Sequence, residues 1–316
     1  MRAIRYQAHG GPEQLRLEEA PLPTLCPDEV LVRQAFSSVN PADWKLRAGW
    51  FNEWVPQIFP FIPGADITGT VVAAGPLAAG FAPGMRVAGM VPVQQGGAWA
   101  ELVPVKAPAL TRLSDTVSMQ EAAGLPLAGL TAWTALFDLG LLRPGQKVLI
   151  HAAAGGVGSL AVQLAKIAGA YVIATCSADN KEMVAALGAD KIIDYRVGDF
   201  ADGLGEVDLV LDTIGGTVRQ RSIAVLRPGG TLVTLDPTPP EPTLTQQVRV
   251  ATVAVAPDGG RLLHLVHLLA TGRLRVPIDR VFAMEEAACA HIHSQDGHAR
   301  GKILISIDAT MDRTIF

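Results

Sequence analysis

Short apolar runs separated by glycine and proline fill roughly the first hundred residues. Segments 1–8, 14–23, 29–39, 67–75, 86–93 and 99–106 each read as a strand. Gly10-Gly11-Pro12, Pro27-Asp28, Pro63-Gly64 and Pro83-Gly84 mark turns between them. Many short strands with such turns predict a barrel-like β domain. The spacing then changes. Apolar positions over 118–140 recur with a helical period and stop at Gly140. From Lys147 the period alternates between strand and helix. Strands are predicted at 147–153, 170–176, 191–195, 207–213 and 230–235, with 248–255 as a sixth. Helices are predicted at 155–169, 180–189 and Val218 to Leu226, with 259–272 closing the series. Such alternation predicts an α/β parallel sheet with helices on both faces. The tail returns to β signals at 276–284 and 301–307, flanking a helix from Met284 to about His293. One β domain, 1–120 with 262–316, is thus interrupted by an α/β domain over 121–261.

Composition narrows the classes of function. Of the 316 residues 49 % are hydrophobic and 18 % charged, which excludes a disordered chain. The formal net charge of −4, with no Lys/Arg-rich run, argues against nucleic acid or an anionic membrane as partner. The N-terminal segment lacks the apolar stretch of a signal peptide. Cys26, Cys176 and Cys289 are scattered and odd in number, which suits a reducing compartment, expected to be the cytoplasm.

The segment from His151 to Lys166 carries the most specific chemistry. A buried strand runs into Gly155, Gly156 and Gly158, and an amphipathic helix begins at once. A pyrophosphate approaches backbone amides at a helix N-terminus only where no side chain intrudes, and the helix dipole favours its charge. Sites for NAD usually place Asp or Glu about 20 residues further on, at the end of the second strand. Here that strand ends in Cys176 and Ser177, with Lys181 one turn into the next helix. A hydroxyl and an ammonium suit a ribose 2′-phosphate, and Tyr195, ending the third strand, adds a phenol. The expected cofactor is therefore NADPH, with Asp179 expected to cap the helix and face away. The histidines, His264 with His267 and the group His291, His293, His298, lack a completing carboxylate or thiolate, so no metal site is expected.

Five segments together resemble the zinc-independent medium-chain dehydrogenase/reductase family, in its quinone oxidoreductase, ζ-crystallin-like branch. They are SSVNPADWKLRAG, FIPGADITGTVVAAG, LPLAGLTAW, HAAAGGVGSLAVQLAK and GHARGKILIS, in the family's order. The resemblance implies a GroES-like β-rich catalytic domain plus a Rossmann doubly wound six-stranded parallel sheet. Zinc-dependent relatives carry Cys where this chain has Asn40 and a His-Glu pair where it has Ala65-Asp66. The four-cysteine lobe has no counterpart.

Carried over position by position, the resemblance places Asn40 and Asp43 beside the nicotinamide ribose, where both are candidate catalytic residues. It places Thr131 near the nicotinamide or its phosphate. Gly155, Gly156, Val157 and Gly158 would meet the pyrophosphate, and Ser177, Lys181 and Tyr195 the adenosine phosphate. Ile214, Leu235, Val253 and Val255 would wall the nicotinamide pocket, with Lys302 closing it. Some members have a Tyr shortly after the NPxD segment. This chain has Trp44 and Trp50 there, and an indole cannot protonate an enolate. Trp50, Phe51 and Trp54, with Trp44 nearby, are expected either to rim the substrate or to pack beneath the Pro-rich loop, two readings of equal weight.

The function these residues point to is NADPH-dependent reduction of a quinone or an activated alkene, with Asn40 or a backbone amide stabilising the developing oxyanion. The alternatives are an enoyl-thioester reductase and an NADPH-binding redox sensor with little turnover. The partner is a small-molecule substrate. A homodimer, paired through the edge strand at 248–255, is the expected assembly.

Overall fold

A computed structural model describes residues 1–238 and 247–308. The chain forms two compact units, one of residues 1–127 together with the stretch from Ala256 on, the other of Ala128–Val255.

The first unit begins with β1 (Arg2–Arg5) and β2 (Arg16–Glu19), which pair antiparallel. Its long strand β3 (Glu29–Val39) is followed by a short helix α1 (Pro41–Arg47), then β4 (Asp66–Ala74), β5 (Arg86–Met90), β6 (Leu102–Lys106) and β7 (Leu110–Arg112). Helix α2 (Met119–Ala123) and helix α3 (Pro126–Trp133) lead into the second unit.

The pattern predicted one continuous helix over 118–140, and the chain breaks it. Ser118 caps α2 by accepting from the Glu121 amide, and α2 ends at Gly124. A Cβ at Gly124 would lie 2.6 Å from Val276 Cγ1, so only glycine lets the chain turn there. Pro126 then restarts the helix at a position where its missing N–H costs nothing. A π-helical turn over Thr134–Leu139 replaces the expected last turns.

The second unit holds β8 (Lys147–Ile150), α4 (Gly156–Ile167), β9 (Tyr171–Cys176), α5 (Lys181–Ala186), β10 (Lys191–Asp194), β11 (Val207–Asp212), α6 (Gly216–Ile223), β12 (Leu226–Thr234) and β13 (Arg249–Thr252). All six strands are parallel in the order β10-β9-β8-β11-β12-β13. Order reverses between β8 and β11, which is the doubly wound arrangement whose ligands sit outside the carboxyl ends of the strands. Leu149, Val207, Val210 and Leu232 are buried at its centre. The sixth strand is shorter than its apolar run: Val253 and Val255 lie beyond its end. Likewise α6 ends three residues before Leu226, because β12 already begins there, opposite Val207.

The chain then re-enters the first unit through α7 (Gly259–Ala270), β14 (Ile278–Ala283), α8 (Ala287–Gln295) and β15 (Lys302–Ser306). These tail strands complete a seven-stranded mixed sheet ordered β14-β15-β3-β4-β5-β7, with β6 also paired to β3. Strand β3 is the hub. Its first half alternates buried and exposed residues, whereas Ala35 to Val39 are buried throughout, enclosed by β4 and β15. That pairing places Val39, and hence Asn40, next to Ile303 and Lys302 at the start of β15.

Candidate functional site

Each unit gathers its own set of polar residues. In the first, α1 starts at Asn40 with Pro41 in its first turn. The Asp43 carboxylate reaches back to accept from the Asn40 amide at 2.7 Å, the returning half of a capping box. The Asn40 side chain is thereby free to bond elsewhere. Its Oδ1 accepts from Lys302 Nζ at 2.6 Å, and its Nδ2 donates to Asp66 Oδ2 at 2.8 Å and, more weakly, to Ser38 Oγ at 3.4 Å. An ammonium on one side and a carboxylate on the other fix the amide's orientation. Ser38 donates to the same Asp66 oxygen, and the Leu127 amide donates to Asp66 Oδ1 at 2.7 Å. Lys302 Nζ lies 3.9 Å from Asp66 Oδ2 and also donates to the Val39 carbonyl.

Ser38, Asn40, Asp43, Asp66 and Lys302 are all buried. Burial penalises ionisation of the Asp43 carboxyl most, and nearby Asp66 adds to it, so its pKa rises to about 7. Burial pulls the Lys302 ammonium down from its ordinary value, while Asp66 and Asp43 oppose that shift. The result is a fixed polar cluster in which the Lys302 cation is held by the Asn40 amide oxygen, the Val39 carbonyl and the Asp66 carboxylate.

A second buried pair lies in the same unit. Arg47 is 1 % exposed and donates to His291 Nδ1 (3.0 Å), to the Gly10 carbonyl (3.2 Å) and to Gln295 Oε1 (3.3 Å). Accepting at Nδ1 leaves His291 protonated at Nε2. Burial and the guanidinium hold its pKa down, to about 3.

In the second unit, β8 runs through His151 into the turn 152–155 and directly into α4. Gly155 precedes α4 without any side-chain cap. The amides of Gly156, Val157 and Gly158 therefore point out of the helix end with no carbonyl of the helix to bond. A Cβ on Gly158 would come within 2.2 Å of the Ala152 carbonyl oxygen, so the tight approach of loop to helix needs glycine. His151 anchors the loop from behind. Ser222 Oγ donates to the Val218 carbonyl, so it accepts from His151 Nε2–H at 2.8 Å, and Nδ1 accepts from Thr175 Oγ1 at 3.1 Å. Burial lowers the His151 pKa to about 4.

At the end of β9, Ser177 is buried and Lys181 lies 3.7 Å from Asp194 Oδ2. Tyr195 is half exposed. The expectation that Asp179 caps α5 is wrong. Asn180 occupies the cap position without a side-chain bond, and Asp179 lies 3.6 Å from Arg196 Nη1.

Of the remaining predicted residues, Thr131 is buried in α3 and Ile214 is exposed after β11. Leu235 donates its amide to the Asp212 carbonyl and Val253 to that of Thr234, extending the sheet past its strands. Trp44 and Trp50 meet edge to face at 5.0 Å. Trp50 and Trp54 are 62 % and 71 % exposed. The linking role of Asp66 and the positions of Ser38 and Arg196 were missed by the sequence reading. Asp66 had a local signal, since it stands where zinc-dependent relatives place a ligand. Ser38 and Arg196 had none.

The donor set does not fit zinc. Asn40 offers an amide already bonded on both sides, Ala65 offers a methyl group, and the Asp66 carboxylate lies beside an ammonium. Among the described residues no group of three His, Cys, Asp or Glu side chains is placed to hold a metal. The dinucleotide fits better: open amides follow a glycine turn at the end of β8, beside the switch point of a parallel sheet.

A GroES-like β unit interrupted by a Rossmann unit defines a dehydrogenase/reductase dependent on a nicotinamide dinucleotide. Family models agree. One for an alcohol dehydrogenase GroES-like domain matches residues 26–115, and one described as a zinc-binding dehydrogenase matches 187–305. Chloroplastic quinone-oxidoreductase QR1 of Triphysaria versicolor is 35 % identical over 323 residues, covering 96 % of this chain and 98 % of the relative. A 2-methylene-furan-3-one reductase of Solanum lycopersicum is 32 % identical, covering 96 % and 79 %. The structure of Escherichia coli quinone oxidoreductase complexed with NADPH superposes with a TM-score of 0.87 at 25 % identity, covering 97 % of this chain and all of that one. The chain belongs to the medium-chain dehydrogenase/reductase family, among its quinone oxidoreductases.

Proposed function

We propose that the protein catalyses NADPH-dependent reduction of quinones or α,β-unsaturated carbonyl compounds without zinc. The observation that carries this reading is the pairing of the open amides of α4 with a Ser177–Lys181 end to β9, where an NAD site has a carboxylate. The names of the Triphysaria and Solanum relatives, a quinone and an enone reductase, support the reaction class. The NADPH-bound Escherichia coli structure supports the cofactor.

When bound, the dinucleotide supplies the hydride. Gly155, Gly156, Val157 and Gly158 hold its pyrophosphate; Ser177, Lys181 and Tyr195 hold the adenosine phosphate. Thr131, Ile214, Leu235, Val253 and Val255 line the nicotinamide end. Reduction of an enone or quinone builds negative charge on oxygen, and Asn40 Nδ2 is the donor for it. Its bond to Ser38 is long, at 3.4 Å, and the Lys302 ammonium on Oδ1 polarises the amide and strengthens Nδ2–H as a donor. Asp43 fixes the Asn40 backbone, and Asp66 fixes the amide's orientation. Trp44, Trp50 and Trp54 rim the substrate.

The protein acts as a homodimer through β13, an edge strand of its sheet. Its three cysteines are unpaired, and cytoplasm is the compartment they suit. NADPH absorbance followed with an ortho-quinone, a 2-alkenal and an enoyl thioester, with NADH as control, tests the reading. Consumption of NADPH with the quinone or alkenal supports it. Consumption with the thioester alone replaces it with enoyl-thioester reduction, and NADPH binding without turnover replaces it with a sensor.

A further inference from the structure

Strands β9 and β10 run parallel with Asp194 beside Cys176, so Tyr195 and Arg196 leave β10 where Ser177 and Asp179 leave β9. Two ion pairs form there, Lys181 with Asp194 at 3.7 Å and Arg196 with Asp179 at 3.6 Å. They are not equivalent. The Asp194 carboxylate is 6 % exposed and also accepts from the Arg196 backbone amide at 3.0 Å, so Lys181 is tied to a counter-charge that cannot move. The Asp179 carboxylate is 64 % exposed and caps no helix. It can turn into water and leave Arg196 free.

Two hydrogen-bonding groups beside these pairs are unspent. Ser177 Oγ accepts from Asn180 Nδ2 at 3.1 Å, which leaves the serine's own proton to donate. Asn180 Oδ1 is buried and has no donor. Its burial puts it out of a ligand's reach, so the open set is a guanidinium and a hydroxyl donor. A phosphate carried on a ribose hydroxyl meets both, its oxygens accepting from each.

We propose that Arg196 is the principal cation for the 2′-phosphate of NADPH and that Asp179 competes with the phosphate for Arg196. This rests on the NADPH reading and assigns it residues beyond Ser177, Lys181 and Tyr195. A guanidinium presents a planar fork to phosphate, which an ammonium already engaged with Asp194 cannot match. Asp179 then tunes the selectivity: its charge weakens binding of the phosphorylated cofactor and is indifferent to the unphosphorylated one.

The test is equilibrium binding of NADPH and of NADH to the full chain, in wild type, Arg196→Ala and Asp179→Asn. Arg196→Ala weakens NADPH about tenfold, in keeping with the loss of a charge-assisted bond. It leaves NADH within about twofold, and that unchanged affinity also reports an intact fold. Asp179→Asn tightens NADPH several-fold without changing NADH. If the wild type prefers NADPH but Arg196→Ala keeps that preference, the assignment is overturned while the NADPH reading stands. If Asp179→Asn weakens NADPH or leaves it unchanged, the competition is overturned. If the wild type binds both cofactors equally, the NADPH reading itself fails, and this assignment with it.

Discussion

Acidification from pH 7 to pH 5 perturbs three buried groups with opposite signs, and the second unit feels only one of them. His151 is the sole histidine of residues 128–255. Its folded pKa, about 4, lies below the ordinary 6.5, so between those values the unfolded chain binds a proton that the folded one refuses. Stability from this group is complete above pH 6.5 and is lost as pH falls toward 4, at about 1.4 kcal/mol per unit. At pH 5 the loss is about 2 kcal/mol. His291 costs the first unit a similar amount, since its folded pKa is about 3. Asp43 works the other way. Its folded pKa of about 7 exceeds the unfolded value, so the folded state gains a proton first and stability rises as pH falls from 7 toward 4. The two effects nearly cancel in the first unit, and the uncompensated loss belongs to His151. The assay is urea unfolding at pH 7 and pH 5 for the wild type and His151→Asn, followed by circular dichroism. The variant is less stable at pH 7, because Thr175 and Ser222 lose a partner, yet its stability falls less steeply by about 1.4 kcal/mol per pH unit. Equal slopes in both proteins would refute a His151 held neutral in the folded state.

Three further outcomes follow from the same geometry. Asp66→Asn leaves Lys302 buried without its carboxylate partner and lowers stability by about 3–5 kcal/mol, read as a thermal shift. Gly158→Ala places a methyl against the Ala152 carbonyl and weakens dinucleotide binding at least tenfold by titration; unchanged affinity would mean that the loop does not hold the pyrophosphate. Trp50→Ala and Trp54→Ala alter exposed side chains, so stability shifts by less than about 0.5 kcal/mol, while KM for the carbonyl acceptor rises if they rim the substrate.

What the sequence made legible was local. The glycine turn after β8 announces itself within eight residues, because strand, glycines and amphipathic helix are contiguous. The parallel order of the second unit follows from its alternating periods, and the structure departs from them only at element ends such as Leu226 and Val253. The break at Gly124–Pro126 was visible as residues but outweighed by a helical period running through it. The site of the first unit could not be assembled this way. Asn40 meets Asp66 across 26 residues and Lys302 across 262, and Arg47 meets His291 across 244. Periodicity carries no information about such pairings. The resemblance named Asn40, Asp43 and Lys302 as neighbours of a cofactor, but only the fold shows that Asp66 binds Asn40 and faces Lys302. Arg196 sat one residue beyond the predicted Tyr195 and stayed hidden because its value depends on the register of β10 against β9.

Direct hydride transfer without a metal is the central claim, and isotope tracing tests it most directly. With NADPH deuterated at nicotinamide C4, on each face in turn, and a 2-alkenal as acceptor, the chelator-treated protein should place deuterium on the β-carbon of the saturated product, from one face only. An unlabelled product, or turnover that disappears with the chelator, would contradict it.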